Sequence, residues 1–180
     1  MRSAVTVAKL EEFMKRLGRS AKSPGVIYLT GGATALILRI RDQTVDIDIK
    51  MDPEPAGAFE AIAELKDALA VNVELASPDQ FIPPLPGWNE RSALIGTYGK
   101  VEFRHYDFYG QALSKIERGN AKDLSDARAL VGRDLINPKE LERLALSVIV
   151  DLIRYPAVEK DDFLLKLKAF LSEYTDGQAS

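Results

Sequence analysis

Apolar side chains at Val7, Leu10, Phe13, Met14 and Leu17 recur every three or four residues, which predicts an amphipathic helix over 6–17 closed by Gly18. The next apolar run, Val26-Ile27-Tyr28-Leu29, is β-branched and aromatic and stops at Thr30-Gly31-Gly32. That reads as a short buried strand ending in a tight turn. Residues 33–40 resume as a helix. Residues 45–51 then alternate strictly as Val-Asp-Ile-Asp-Ile-Lys-Met, the mark of a strand with two unlike faces.

Pro53 and Pro55 interrupt the pattern, and 56–70, rich in Ala, Leu and Glu, predicts a helix leading into a strand over 71–75. Segment 77–89 carries Pro78, Pro83, Pro84, Pro86 and Gly87 and is expected to be an ordered loop or lid pinned by Trp88. Residues 92–97 and 101–106, separated by Tyr98-Gly99-Lys100, read as a β-hairpin. The remainder has helical spacing over about 108–118, 122–131, 138–154 and 159–174, broken at Asn137-Pro138 and Tyr155-Pro156. The order predicts an α/β (α+β) fold, a mixed β-sheet flanked by helices over 1–106. A C-terminal helical region, 107–180, is expected to pack on that core.

Composition narrows the chemistry. At 180 residues with 46% hydrophobic and 28% charged side chains, the chain is too apolar for intrinsic disorder. The absence of cysteine excludes disulfides and thiolate-zinc sites. A lone histidine, His105, leaves little for an imidazole metal site or a Ser-His-Asp triad. A net charge of −3 and a pI near 5.3 give no overall footprint for duplex nucleic acid. The N-terminus lacks a signal-peptide core, and the longest apolar stretch, around 144–153, is interrupted by Asp151. A soluble, cytoplasmic protein with no membrane partner is expected.

Side chains at i and i+2 of a strand share a face, their Cα atoms about 6.6 Å apart. Asp46 and Asp48 therefore stand together, opposite Val45, Ile47 and Ile49. Two neighbouring carboxylates repel and resist desolvation, an arrangement that a hard divalent cation such as Mg²⁺ or Mn²⁺ would justify. The alternative is a half-exposed strand with an acidic face. Upstream, Gly31 and Gly32 follow a buried strand and open a helix, so their backbone can approach an anion at the positive end of the helix dipole. A phosphate cradle followed by a cation-binding strand is what a nucleoside triphosphate requires.

These residues carry a resemblance. Gly31-Gly32-Ala33-Thr34 with residues 41–49, Arg-Asp-Gln-Thr-Val-Asp-Ile-Asp-Ile, resembles the signature of the DNA polymerase β-like nucleotidyltransferase superfamily. Ser114-Lys115-Ile116-Glu117-Arg118 and Lys122-Asp123-Leu124-Ser125-Asp126 look like motifs of type IV toxin-antitoxin nucleotidyltransferase toxins and their bacterial relatives. The resemblance spans about 25–131. It implies a nucleotidyltransferase fold and two metal-bound carboxylates. The activity implied is transfer of a nucleotide from a nucleoside triphosphate to the hydroxyl of an RNA 3′ end, a protein or a small molecule, with an antitoxin protein as partner. It also implies a third carboxylate, with Glu74 the first choice and Glu102 the second. Gly31-Gly32 stands where many members have Gly-Ser, so a serine contact to the triphosphate is missing. Thr34 offers a hydroxyl in its place, or is a buried helix residue.

Arg41, ahead of Arg39, is a candidate for the triphosphate or the acceptor. Lys115 and Arg118, one helical turn apart, are placed to meet phosphate, or form a solvated face. Asp123 is expected to cap its helix or to orient Lys115, with Asp126 one turn on. His105 reads as a strand residue rather than a base. Trp88 and Tyr98 pack the proline-rich loop or stack on a base. Two rival functions are a catalytically silent nucleotide- or partner-binding protein of the same fold, and an Asp-x-Asp glycosyltransferase. The latter usually has a larger domain ahead of its motif than the 45 residues present here.

Overall fold

The computed structural model describes residues 3–175, which divide into two compact units. The first comprises the chain up to Ser77 together with Ser92–Tyr106, and the second comprises Pro78–Arg91 and the chain from Asp107 onward.

In the first unit, helix α1 (Val7–Ser20) leads to β1 (Gly25–Thr30), α2 (Gly31–Ile37), β2 (Asp46–Met51), α3 (Ala58–Ala68), β3 (Asn72–Leu75), β4 (Leu94–Tyr98) and β5 (Val101–His105). The strands form one mixed sheet in the order β3-β2-β1-β5-β4. β1 is antiparallel to β2 and parallel to β5, β2 is parallel to β3, and β4 and β5 are an antiparallel hairpin. Alternation sends Ile27, Leu29, Ile47, Ile49, Val73, Val101 and Phe103 into one buried core with Leu10, Phe13, Met14 and Leu17 of α1 and Ala58, Ala61, Ile62 and Leu65 of α3. The polar members of β2 and β3 are left on the other side. β3 ends the sheet, and there Lys66 Nζ of α3 donates to the Val73 carbonyl at 3.4 Å.

Several boundaries differ from expectation for packing reasons. Gly18 does not close α1, which runs to Ser20. A Cβ at Gly18 would run into the Tyr98 carbonyl, and one at Gly99 would run into the Gly18 carbonyl, so this glycine allows backbone to meet backbone. α2 stops at Ile37 rather than 40, and Arg39 follows with a left-handed φ of 58°.

In the second unit, a 3₁₀ turn (Pro78–Gln80) and the single turn α4 (Trp88–Arg91) precede α5 (Phe108–Arg118), α6 (Ala121–Gly132), α7 (Pro138–Ser147), a 3₁₀ segment (Ile149–Arg154) and α8 (Lys160–Thr175). The helix expected over 138–154 is thus two pieces. The proline-rich segment is held by buried Ile82 and Leu85, whereas Trp88 is only half-buried. Tyr155 Oη donates to the Asp79 carbonyl at 2.8 Å. Arg91 grips both oxygens of buried Asp107, at 3.0 and 2.6 Å, and Asp107 in turn caps α5 through the Tyr109 amide. Among the described residues no helix is long and apolar enough to cross a membrane.

Candidate functional site

The antiparallel register of β1 and β2 sets Thr30 opposite Asp48, so the glycine turn that ends β1 falls beside the carboxylates of β2. Gly31 adopts φ +55°, a left-handed conformation that disfavours any side chain. A Cβ there would lie 2.9 Å from Asp48 Oδ2. Gly32 is buried, and a Cβ on it would run into Thr44 Oγ1. The turn needs one glycine for conformation and a second for space. Thr30 precedes α2 without capping it through its side chain, and its hydroxyl donates to the Ala76 carbonyl at 2.9 Å, just past β3.

The parallel register of β2 and β3 sets Asp46 opposite Asn72 and Asp48 opposite Glu74. Residues paired in this way share a sheet face. Asp46, Asp48, Asn72 and Glu74 therefore form one polar patch, with Asp46 and Asp48 half-buried and Glu74 exposed. Asn72 Nδ2 donates to Asp46 Oδ1 at 2.7 Å and to Glu74 Oε1 at 2.9 Å. Among the described residues no three His, Cys, Asp or Glu side chains converge as a ready metal cluster. An amide stands between two of the carboxylates instead. Sequence reading missed Asn72, although its period-two relation to Glu74 places both on one face.

Glu102 occupies a different part of the sheet. It pairs with Val26 on β1, four residues back from Thr30, and its carboxylate is bound by Arg104 at 2.8 Å. Of the two candidates for a third carboxylate, Glu74 is the one in register with Asp48.

Thr34, a candidate hydroxyl for the nucleotide, is buried and donates to the Leu29 carbonyl at 3.0 Å. Its Oγ1 also lies 3.0 Å from His105 Nδ1. Since the hydroxyl proton goes to Leu29, the threonine oxygen accepts from Nδ1–H of His105, which fixes the tautomer. Burial pushes His105 down to about 4, so the ring is neutral. Thr34 and His105 thus join the end of β1, α2 and β5 from the inside. Tyr98 packs edge-on against Phe103, with ring centroids 5.8 Å apart. Arg41 lies in the connection from α2 to β2, its amide donating to the Ala35 carbonyl at 3.3 Å.

Lys115 and Asp123 belong to the second unit, where they meet. The buried ammonium of Lys115 bonds Asp126 Oδ2 at 2.8 Å and Asp123 Oδ1 at 3.4 Å. Arg118 grips both oxygens of Asp123, Nε to Oδ2 at 2.8 Å and a terminal nitrogen to Oδ1 at 3.0 Å. Burial opposes ionisation of Asp123, but hydrogen bonds and charge from Arg118, with Lys115 and Asn120, outweigh it and hold its carboxyl at about 2. The N-cap of α6 is Asn120, whose side chain accepts from the Asp123 amide and donates to the Asp123 carboxylate. Two cations and two anions are thus paired between α5 and α6. Lys115 therefore does not lie on a solvated helix face, and Asp123 is its salt-bridge partner rather than the cap of α6.

Residues 6–170 match the sequence family described as nucleotidyltransferase of unknown function (DUF6036). Neither the curated proteins nor the solved structures contain a match.

Proposed function

Because the chain belongs to that nucleotidyltransferase family, we propose that it moves a nucleoside monophosphate from a nucleoside triphosphate to an acceptor hydroxyl, using Mg²⁺ or Mn²⁺ held by Asp46, Asp48 and Glu74. One observation carries this reading: Thr30 pairs with Asp48, which brings the glycine turn against the carboxylates. Anion cradle and cation ligands are then neighbours, as a metal-bound triphosphate requires.

The donor set suits the cation, since it consists of carboxylate oxygens on one sheet face. A bound cation would neutralise phosphate charge and make the acceptor hydroxyl easier to deprotonate. The chain supplies the rest. The backbone amides of Gly31 and Gly32, at the start of α2, would hold the phosphate tail. Arg41, at the approach to β2, would add its guanidinium to the triphosphate or the acceptor. Catalysis of this kind rests on positioning and charge stabilisation more than on covalent chemistry by the protein. The acceptor is an RNA 3′ end, a protein or a small molecule.

The test is to incubate the protein with each α-labelled triphosphate, Mg²⁺ and total RNA or lysate, and to ask which molecule becomes labelled. Full transfer by both Asp46→Ala and Asp48→Ala would sink the mechanism. The lack of a converged three-ligand cluster among the described residues favours a second reading, a silent protein that binds nucleotide without turnover. Calorimetry with each triphosphate separates the two, since the silent form would bind with Mg²⁺ and yield no labelled product.

A further inference from the structure

Four polar side chains make a two-by-two patch on β2 and β3, with Asp46 beside Asn72 and Asp48 beside Glu74. Three of them are carboxylates, and like charges this close repel. In solution such carboxylates would swing apart. The bonds at 2.7 and 2.9 Å oppose that motion, because the amide nitrogen of Asn72 carries two hydrogens and gives one to Asp46 and one to Glu74. Only one oxygen of each carboxylate, Oδ1 and Oε1, is used in these bonds. Each carboxylate keeps its second oxygen outside the bridge.

We propose that Asn72 is a positioning residue. Its amide links Asp46 to Glu74 across two strands and holds them at one spacing, so that their second oxygens meet an arriving cation together. The role rests on reading the patch as a cation site. Asn72 touches no substrate in this account and acts through the two carboxylates, in the way that outer-shell donors fix ligating groups. The residue type follows from the geometry. Aspartate at 72 would offer acceptors where two donors are needed, serine would offer one donor, and alanine none.

The test is calorimetric titration of Mn²⁺ into the full chain without nucleotide, with melting curves as a control for folding. Wild type is expected to bind and Asp46→Ala to lose binding. Asn72→Ala should bind about 10- to 100-fold more weakly, with Asn72→Ser in between and the melting temperature little changed. If Asn72→Ala and Asn72→Ser bind like wild type while Asp46→Ala does not, the positioning role is wrong and the cation site stands. If wild type takes up no Mn²⁺, or Asp46→Ala binds as tightly, the cation site itself fails and the role of Asn72 with it. Should Asn72→Ala not fold, the serine variant decides.

Discussion

Gly31 and Asp48 touch across the β1–β2 pair, closely enough that a single added carbon at Gly31 would lie 2.9 Å from the aspartate Oδ2. The turn and the carboxylate are therefore immediate neighbours. Gly31→Ala places a Cβ both against that oxygen and in a left-handed φ, at a cost of about 1–2 kcal/mol in backbone strain alone. Nucleotide transfer is expected to fall further than stability does. Melting curves beside labelled-nucleotide transfer would check this, and transfer at wild-type rate would contradict it.

Asp46→Asn and Asp48→Asn keep the shape of the strand and remove charge. Each is expected to lower transfer by about a hundredfold or more, since loss of cation charge stabilisation is worth several kcal/mol. Stability should hold or rise slightly, because removing one of three neighbouring like charges relieves repulsion. A variant with transfer intact would exclude that carboxylate from the site.

Lys115→Met leaves Asp123 and Asp126, both buried, without their shared ammonium. Removing one partner of a buried pair costs about 3–5 kcal/mol. Denaturant unfolding should detect a loss of that size. Replacing Lys115 and Asp126 together by apolar residues should recover much of it. An unchanged midpoint in Lys115→Met would mean that the pairing contributes little.

His105, the sole histidine, is pushed down by burial to about 4. Between that value and its ordinary 6.5 the unfolded chain binds a proton that the folded chain refuses, so stability rises with pH across this window. The contribution is fully present above pH 6.5 and is lost progressively as pH falls toward 4. Unfolding free energies measured at several pH values should show the slope in wild type and a shallower one in His105→Gln.

Much of the architecture was legible in the chain. The alternation of 45–51 marked β2 and its two faces, and the glycine pair after Leu29 marked the β1–α2 turn. What escaped were relations between residues far apart in sequence. Gly18 reads the same whether it caps a helix or admits the backbone at Tyr98 and Gly99, and only packing separates the two. The hydrogen bond between Thr34 and His105 spans 71 positions, so spacing alone left Thr34 open between an available hydroxyl and a buried helix residue. Asn72 was overlooked because its relation to Asp46 depends on strand register, which composition does not reveal. The proline-rich segment groups with the C-terminal helices through Arg91–Asp107 and Tyr155–Asp79, pairs that local spacing cannot foretell.

Lys66 has a consequence for how many copies of this sheet can coexist. β3 is an outer strand, and an outer strand can template addition of another chain. The ammonium of Lys66 already sits on the Val73 carbonyl, so a strand arriving there must displace or bury a charge. Lys66→Met would lift that barrier while Phe59 and Leu75 remain exposed nearby. A chain altered in this way should self-associate as its concentration rises, visible as a shift in sedimentation or light scattering where wild type shows none.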